Sequence, residues 1–295
     1  MAGPLPVAFL NGAFSPLETA RISPLDRGFL YGDAVYEVIP VYAGRPFLLA
    51  EHLARLERSL HELSIPQPHP AAQWLAILQQ LITANGGGTM YVYLQVSRGS
   101  EWGRNHAIPA GLAPTVFAFA AELPAEDSPA GTPGVRAITA PDCRWNRCDI
   151  KSTNLLGNVL AKTAAAAVGA TETIFLADGE LREGSSSAIL VVHGDTVRAP
   201  VESRAILPST SRRLALKLAT EAGLRVHVGP VPVAALVAAD EVWMCNATRA
   251  LLPVVAIDDR PVGDGRPGRH WHAVRAGLDA YRRAVADLPP LQPLA

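Results

Sequence analysis

Lys151 is the residue in this chain best suited to covalent chemistry. Lysine and arginine together number 26, yet lysine occurs only as Lys151, Lys162 and Lys217. Where a generic cation suffices, the sequence uses arginine. A guanidinium keeps its proton, whereas an amine can lose it and act as a nucleophile or a base. Lys162 and Lys217 fall in runs with helical apolar spacing and read as solvated helix-face cations. Lys151 instead closes a short non-helical stretch, Arg144-Trp145-Asn146-Arg147-Cys148-Asp149-Ile150-Lys151, just ahead of a helix. Burial, or cations such as Arg144 and Arg147, would lower its pKa. The plain alternative is a lysine paired with Asp149 on a strand edge.

Three further clusters carry hydrogen-bonding chemistry. Glu183-Gly184-Ser185-Ser186-Ser187 follows the Asp178-Gly179 turn. It suits either a tight loop donating hydroxyls to a flat ligand or a simple polar hairpin. Leu207-Pro208-Ser209-Thr210-Ser211 opens a helix with Ser209 as N-cap, and its free amides and hydroxyls suit an anion as well as ordinary capping. Asn246-Ala247-Thr248-Arg249 offers a similar set of donors after a strand. If both faced one ligand, a phosphate would be the natural guest. Gly263-Asp264-Gly265-Arg266-Pro267-Gly268 fits GxGxxG formally, but Pro267 interrupts it and too little chain follows for a βαβ unit, so it reads as a surface turn. His270-Trp271-His272 reads as a helix start.

The elements that must position these groups follow from periodicity. Val7 to Leu10 with the Asn11-Gly12 turn, and Ala34 to Tyr42, read as strands. Glu51 to Leu63 and Ala71 to Ala84 read as helices, followed by strands at Met90 to Val96 and Thr115 to Ala120. Residues 121–134, rich in Pro and Gly, read as a linker between a domain at 1–120 and one at 135–295. Beyond it the pattern predicts strands at Val135 to Thr139, Thr173 to Leu176, Ala188 to Val192 and Glu241 to Cys245. Helices are expected at Leu155 to Val168, from Ser209, and from about His270. A near-neutral charge of −1 argues against a nucleic-acid partner. No apolar run approaches a membrane span. Cys143, Cys148 and Cys245 form no CxxC and suggest no disulfide framework, so a cytoplasmic location is expected.

Together these segments resemble the fold-type IV pyridoxal-phosphate enzymes, which include D-amino acid aminotransferases, branched-chain aminotransferases and aminodeoxychorismate lyases. The resemblance runs from Asp26-Arg27-Gly28-Phe29 and Tyr31-Gly32-Asp33-Ala34-Val35-Tyr36-Glu37 to Asp264-Gly265-Arg266-Pro267-Gly268. It is most specific at Arg147 to Ser152, Asn154 to Asn158 and Glu183 to Ser187. Departures fall at Ala34, Ala188 and Ala247-Thr248-Arg249-Ala250, the last bearing on the phosphate contacts.

The resemblance implies an α+β fold with a smaller N-terminal α/β domain and a larger C-terminal pseudo-barrel, with pyridoxal 5′-phosphate between them. Lys151 matches the lysine that forms a Schiff base with the cofactor, and Glu183 the carboxylate that keeps the pyridine nitrogen protonated. Arg55 matches the arginine on the phosphate, joined by Thr210, Ser211 and Thr248. The Arg-x-His of Arg104 and His106 resembles the carboxylate trap of D-amino acid aminotransferases. There the loop comes from the partner subunit of a homodimer and works with a tyrosine matching Tyr36. The implied reaction is ping-pong transamination between D-amino acids and 2-oxo acids, D-alanine and 2-oxoglutarate giving pyruvate and D-glutamate. The alternatives are a branched-chain L-amino acid or (R)-amine transaminase, or an aminodeoxychorismate lyase.

Overall fold

A computed structural model of the protein describes residues 3–123 and 132–287. The expected linker at 121–134 therefore lies mostly outside the described residues. The chain divides into two compact units. One comprises Met1–Pro124, Ile150–Asn154 and Arg282–Ala295, the other Ala125–Asp149 and Leu155–Tyr281.

The first unit begins with a hairpin of β1 (Pro4–Leu10) and β2 (Ala13–Pro16). Asn11 and Gly12 both adopt positive φ, 48° and 94°, as a two-residue hairpin turn demands and an Asn-Gly pair supplies. The short helix α1 (Arg27–Tyr31) follows, then β3 (Ala34–Tyr42) and β4 (Arg45–Pro46). Next come helices α2 (Leu49–Glu62) and α3 (Ala71–Ala84) and strands β5 (Met90–Ser97) and β6 (Thr115–Glu122). The strands form one sheet in the order β2-β1-β6-β5-β3-β4. Alternation decides its faces. Val35, Ile39 and Val41, Val92, Leu94 and Val96, and Val116, Ala118 and Ala120 point into a core closed by Leu56, Leu60, Trp74, Leu78 and Leu81 of the two helices. On the opposite face Tyr36, Tyr93, Phe119 and Phe117 form a half-buried run of rings with centroids 5.3–5.8 Å apart.

The segment around Lys151, Ile150–Asn154, falls in this first unit. The reason is backbone pairing. β4 covers β3 only at Val41 and Tyr42, and residues 151–153 take up that edge further along. Tyr36 donates to the Lys151 carbonyl at 2.9 Å, Thr153 donates to the Ala34 carbonyl at 3.0 Å, and Val35 and Ser152 form a bridge.

The second unit contains β7 (Val135–Pro141), α4 (Leu156–Ala167), β8 (Glu172–Ala177), β9 (Glu180–Gly184), β10 (Ala188–His193) and β11 (Thr196–Ala199). It continues with α5 (Thr210–Glu221), β12 (Arg225–Val228), α6 (Val233–Val237), β13 (Glu241–Asn246), β14 (Ala250–Ile257) and β15 (Arg260–Pro261). A last helix, α7, runs over Arg269–Ala286. The sheet order is β12-β11-β10-β13-β14-β7-β8-β9, with β15 on β14. β8 runs parallel to β7 and β12 parallel to β11, the pairs whose connections carry α4 and α5.

The order explains the curvature. β9 ends the sheet and β10 stands third from the other end, yet only Ser185–Ser187 separate them. Gly184 donates to the Ser187 carbonyl at 2.7 Å, so the sheet curls until its last strand meets its third. β10 and β13 are buried on both faces, and accordingly read as continuous apolar runs without alternation.

Two of the discounted motifs are structural here. The Gly263 to Gly268 segment is a turn with φ of 55° at Gly263 and 77° at Gly265. Beyond it the buried Glu241 carboxylate accepts the backbone N–H groups of His270 (3.0 Å) and Trp271 (2.9 Å), capping α7 where the sequence predicts a helix start.

Candidate active site

In the first unit the Lys151 amine stands 4.1 Å from the centroid of the Tyr36 ring, on the aromatic face of the sheet. Its backbone N–H reaches Ser59 Oγ of α2 at 3.3 Å. Tyr36 stacks on Tyr93, with centroids 5.5 Å apart, and the Tyr93 hydroxyl donates to Gln95 Oε1 at 2.7 Å. Tyr93 was not among the residues expected here. Its i, i+2 partner Gln95 and its cross-strand neighbours give it no motif of its own.

Behind Tyr36, on the core face of β3, Glu37 is fully buried. Arg55 Nε and Nη2 donate to its two oxygens at 2.7 and 2.8 Å, and His52 Nδ1 lies 2.7 Å from Oε2. Arg55 thus presents a guanidinium whose one edge is fixed. Burial would raise the Glu37 pKa, but Arg55 and His52 outweigh it and hold the carboxyl well below the usual range. Burial lowers the His52 pKa from its ordinary 6.5, and Arg55 and Lys151 add to the effect against the pull of Glu37. The two directions agree if His52 is neutral and donates its proton while Arg55 alone carries the compensating charge. Asp33 is also held low, its burial outweighed by Arg98 and Arg27.

These shifts set a sign for the pH dependence of folding. An unfolded chain binds a proton at His52 near 6.5, while the native state resists it, so stability from this group is complete above that pH and is lost as pH falls below it. Glu37 and Asp33 add a second loss once pH drops under their ordinary values of 4.5 and 3.8. The denaturant midpoint is therefore expected to be higher at pH 7.5 than at pH 5.5 and to fall again below pH 4. His52→Gln should flatten the first limb only.

In the second unit Glu183 lies near the end of β9 and is mostly buried. Its carboxylate is ion-paired with Arg144 Nη1 and accepts the Leu207 N–H at 3.1 Å. Arg144 is held in turn by Asp142 Oδ2 at 2.8 Å and by the Ala205 carbonyl at 3.1 Å. Burial lowers the Arg144 pKa, but Asp142 and Glu183 outweigh it and raise it. The guanidinium therefore stays charged beside the Glu183 carboxylate. Arg147 pairs with Asp149 at 3.0 Å. Each of the two arginines expected beside Lys151 is thus matched by a carboxylate, and Asp149, the alternative partner for Lys151, is engaged by Arg147.

The hydroxyls of the three serines after Glu183 are engaged within the fold, in line with the plainer of the two readings of this loop. Their hydroxyls all converge on Glu172, a fully buried carboxylate of β8. Ser186 Oγ donates at 3.0 Å and Ser187 Oγ at 2.8 Å, and Ser185 donates both its hydroxyl and its N–H. Curling of the sheet brings β8 under the turn. No local pattern could have paired residues 13–15 positions apart. With Glu172 holding the turn and Arg144 the side chain, Glu183 has little freedom.

Ser209 caps α5 as its sequence predicts, accepting the Arg212 N–H at 3.2 Å. Thr210 and Ser211 open the helix with first-turn amides facing its N-terminal end. Arg212 of the same turn is buried near the Cys245 thiol on β13, which burial pushes up to about 12. Thr248 sits on the turn that ends β13, where Asn246 Oδ1 accepts the Arg249 N–H at 2.8 Å and lies 3.4 Å from Thr248 Oγ1. The last two site residues, Arg104 and His106, lie in the first unit on the exposed loop after β5, both close to the Tyr31 ring. Arg104 Cζ is 5.3 Å from the Tyr31 centroid and the His106 ring 5.5 Å from it.

The first unit thus offers an amine beside an aromatic face, and the second an ion-paired carboxylate and a helix start rich in donors. The chain is 38% identical over 270 residues to a D-alanine aminotransferase of Bacillus licheniformis, covering 91% of this chain and 94% of that one. It is 33% identical over 276 residues to the D-alanine aminotransferase of Staphylococcus epidermidis, covering 92% and 96%. Its fold superposes on a T.th. branched-chain amino acid aminotransferase solved with pyridoxamine 5′-phosphate, with a TM-score of 0.88, 28% identity, and 97% and 96% of the two chains covered. With residues 34–257 matching the family described as amino-transferase class IV, the chain belongs to the class IV, pyridoxal-phosphate-dependent aminotransferases.

Proposed function

We propose that this enzyme transaminates D-amino acids, with D-alanine and 2-oxoglutarate giving pyruvate and D-glutamate. The observation that carries the reading is the pairing of Arg104 and His106 about one tyrosine ring. It presents a cation and a second donor together on a loop, a combination suited to a carboxylate. The D-alanine aminotransferase relatives, matched at 38% and 33% over most of their length, support it.

Pyridoxal 5′-phosphate, when bound, supplies an aldehyde that condenses with amines and a ring that draws electrons from the bonds of the substrate Cα. Lys151 would offer its amine to that aldehyde and, once freed by the substrate amine, would carry the proton at the substrate Cα. Glu183, ion-paired with Arg144, would accept a hydrogen bond from a protonated ring nitrogen. As the family resemblance implies, Arg55, Thr210, Ser211 and Thr248 would hold the phosphate, and Tyr36 would cover the face on which Lys151 works. We also propose a homodimer, with the Arg104–His106 loop completing the partner's site. Leu156, Val159 and Leu160 expose 73%, 55% and 61% of their surface in one i, i+3, i+4 stripe of α4, an apolar face suited to a second copy.

The test is a half-reaction. D-alanine added to the holoenzyme should bleach its visible absorbance, and 2-oxoglutarate should restore it. Bleaching by L-leucine alone would instead establish a branched-chain enzyme. Arg104→Gln is expected to raise KM for D-alanine and 2-oxoglutarate roughly 10–100-fold, the loss of one charge-assisted contact, with cofactor affinity unchanged. Steady-state kinetics with a cofactor titration of the apoenzyme checks it.

A further inference from the structure

We propose that Tyr31 is a positioning residue for substrate carboxylates: its ring is the platform on which Arg104 and His106 are oriented, and Arg27 is the frame that holds their backbone. The inference rests on the reading of Arg104 and His106 as the carboxylate clamp.

Beyond a bridge between Ser100 and Asp26 and a turn, the loop 98–114 has no regular structure, and residues 102–106 are all exposed, Trp102 almost completely. Such a segment does not fix two side chains by itself. Arg27, only 3% exposed, supplies the order. Its guanidinium donates to Asp33 at 2.9 Å and then to the loop, to the Asn105 carbonyl at 2.7 Å, the His106 carbonyl at 3.3 Å and Glu101 Oε1. Its backbone N–H donates to the Gly99 carbonyl at 2.9 Å. Glu101 is the only acidic residue between Ser97 and Pro114. Paired with Arg27, it is kept from competing with a substrate for Arg104.

Tyr31 stands four residues after Arg27 on the same face of α1. Three groups gather on its ring: Arg27 Cζ at 4.7 Å, Arg104 Cζ at 5.3 Å and the His106 imidazole at 5.5 Å with the planes tilted by 49°. The Tyr31 hydroxyl is buried and has no hydrogen-bond partner among the described residues. The ring, not the hydroxyl, is the working part. A guanidinium over an aromatic face is held in direction by the ring quadrupole while its N–H groups stay free for a carboxylate in the ring plane's periphery.

The experiment compares Tyr31→Phe, Tyr31→Leu and Arg104→Gln holoenzymes. The probe is propionate, which carries the carboxylate of alanine but no amine to react, and its dissociation constant is read by calorimetry. KM and kcat for D-alanine and the cofactor dissociation constant are measured beside it. Tyr31→Leu should weaken propionate and raise KM about 5–30-fold, the range a cation–π contact spans, with kcat and cofactor affinity within about twofold of the parent. Tyr31→Phe should match the parent in every constant. If Tyr31→Leu does not fold, Tyr31→Met takes its place with the same expectation.

Unchanged propionate binding in the leucine or methionine variant, with Arg104→Gln still weakened, would overturn the platform and leave the clamp standing. A phenylalanine variant as weak as leucine would overturn it too, by showing that the hydroxyl acts. If Arg104→Gln itself binds propionate normally, the clamp reading fails and the platform with it.

Discussion

Replacing Lys151 with alanine is expected to lower turnover by roughly four orders of magnitude or more, because in the proposed mechanism one amine serves both as the covalent partner and as the proton carrier. The informative control is Lys151→Arg. It keeps the positive charge beside the Tyr36 ring, 4.1 Å from the amine in the parent, and keeps most of the side-chain volume. A guanidinium cannot give up its proton at neutral pH, so this variant is expected to be as inactive as the alanine one. Both should fold, since the segment is fixed through its backbone, by the Tyr36 N–H, the Thr153 N–H and Ser59 Oγ. Single-turnover bleaching with D-alanine, with thermal melts as the folding check, decides the matter. If Lys151→Arg retained even a hundredth of the parent rate, charge would be what position 151 supplies, and the proposed mechanism would be wrong.

That prediction was available from the sequence because the signal is local and chemical. Lysine is scarce, and the one at 151 sits outside a helix. The helix start at Ser209 was equally legible, since a cap needs only its own first turn. What stayed hidden was set by distance along the chain. Glu172 and the three serines meet because a sheet curls, Arg27 reaches Glu101 across 74 positions, and the strand pairing that draws Lys151 into the first unit joins residues on either side of the expected linker. Strands were missed for local reasons as well. β12 is exposed along its whole length, and its alternation, Arg225-Val226-His227-Val228, spans only four residues. Pro253, which argues against a central strand, lies within β14 opposite Trp243. Buried charges are the hardest to foresee. Glu37 looks like any strand carboxylate until Arg55 and His52 arrive from the facing helix.

The ion pair between Arg144 and Glu183 gives the second large expected effect. Glu183→Gln should lower kcat about 10²–10³-fold, the usual consequence of removing one preorganised electrostatic partner of a developing charge. A carboxylate only accepts, so Glu183 can take hydrogen bonds from Arg144, from the Leu207 N–H and from a protonated ring nitrogen at once. An amide has one acceptor oxygen and two N–H donors. Turning the oxygen to Arg144 points the NH₂ at the other two donors, and neither the Leu207 N–H nor a ring N–H can accept it. The ring nitrogen then loses the partner that keeps it protonated, and the substrate Cα loses acidity. Because the phosphate contacts are untouched, cofactor affinity should fall far less than kcat, and the variant's visible spectrum should change its pH dependence. Glu183→Asp tests placement by the same measurement. It keeps the charge but draws it back by one methylene from an Arg144 anchored to Asp142 and the Ala205 carbonyl, so it should retain the parent's spectral titration with an intermediate kcat. If Glu183→Gln turned over at the parent rate, Glu183 would be a structural partner of Arg144, and the protonated ring would need another source.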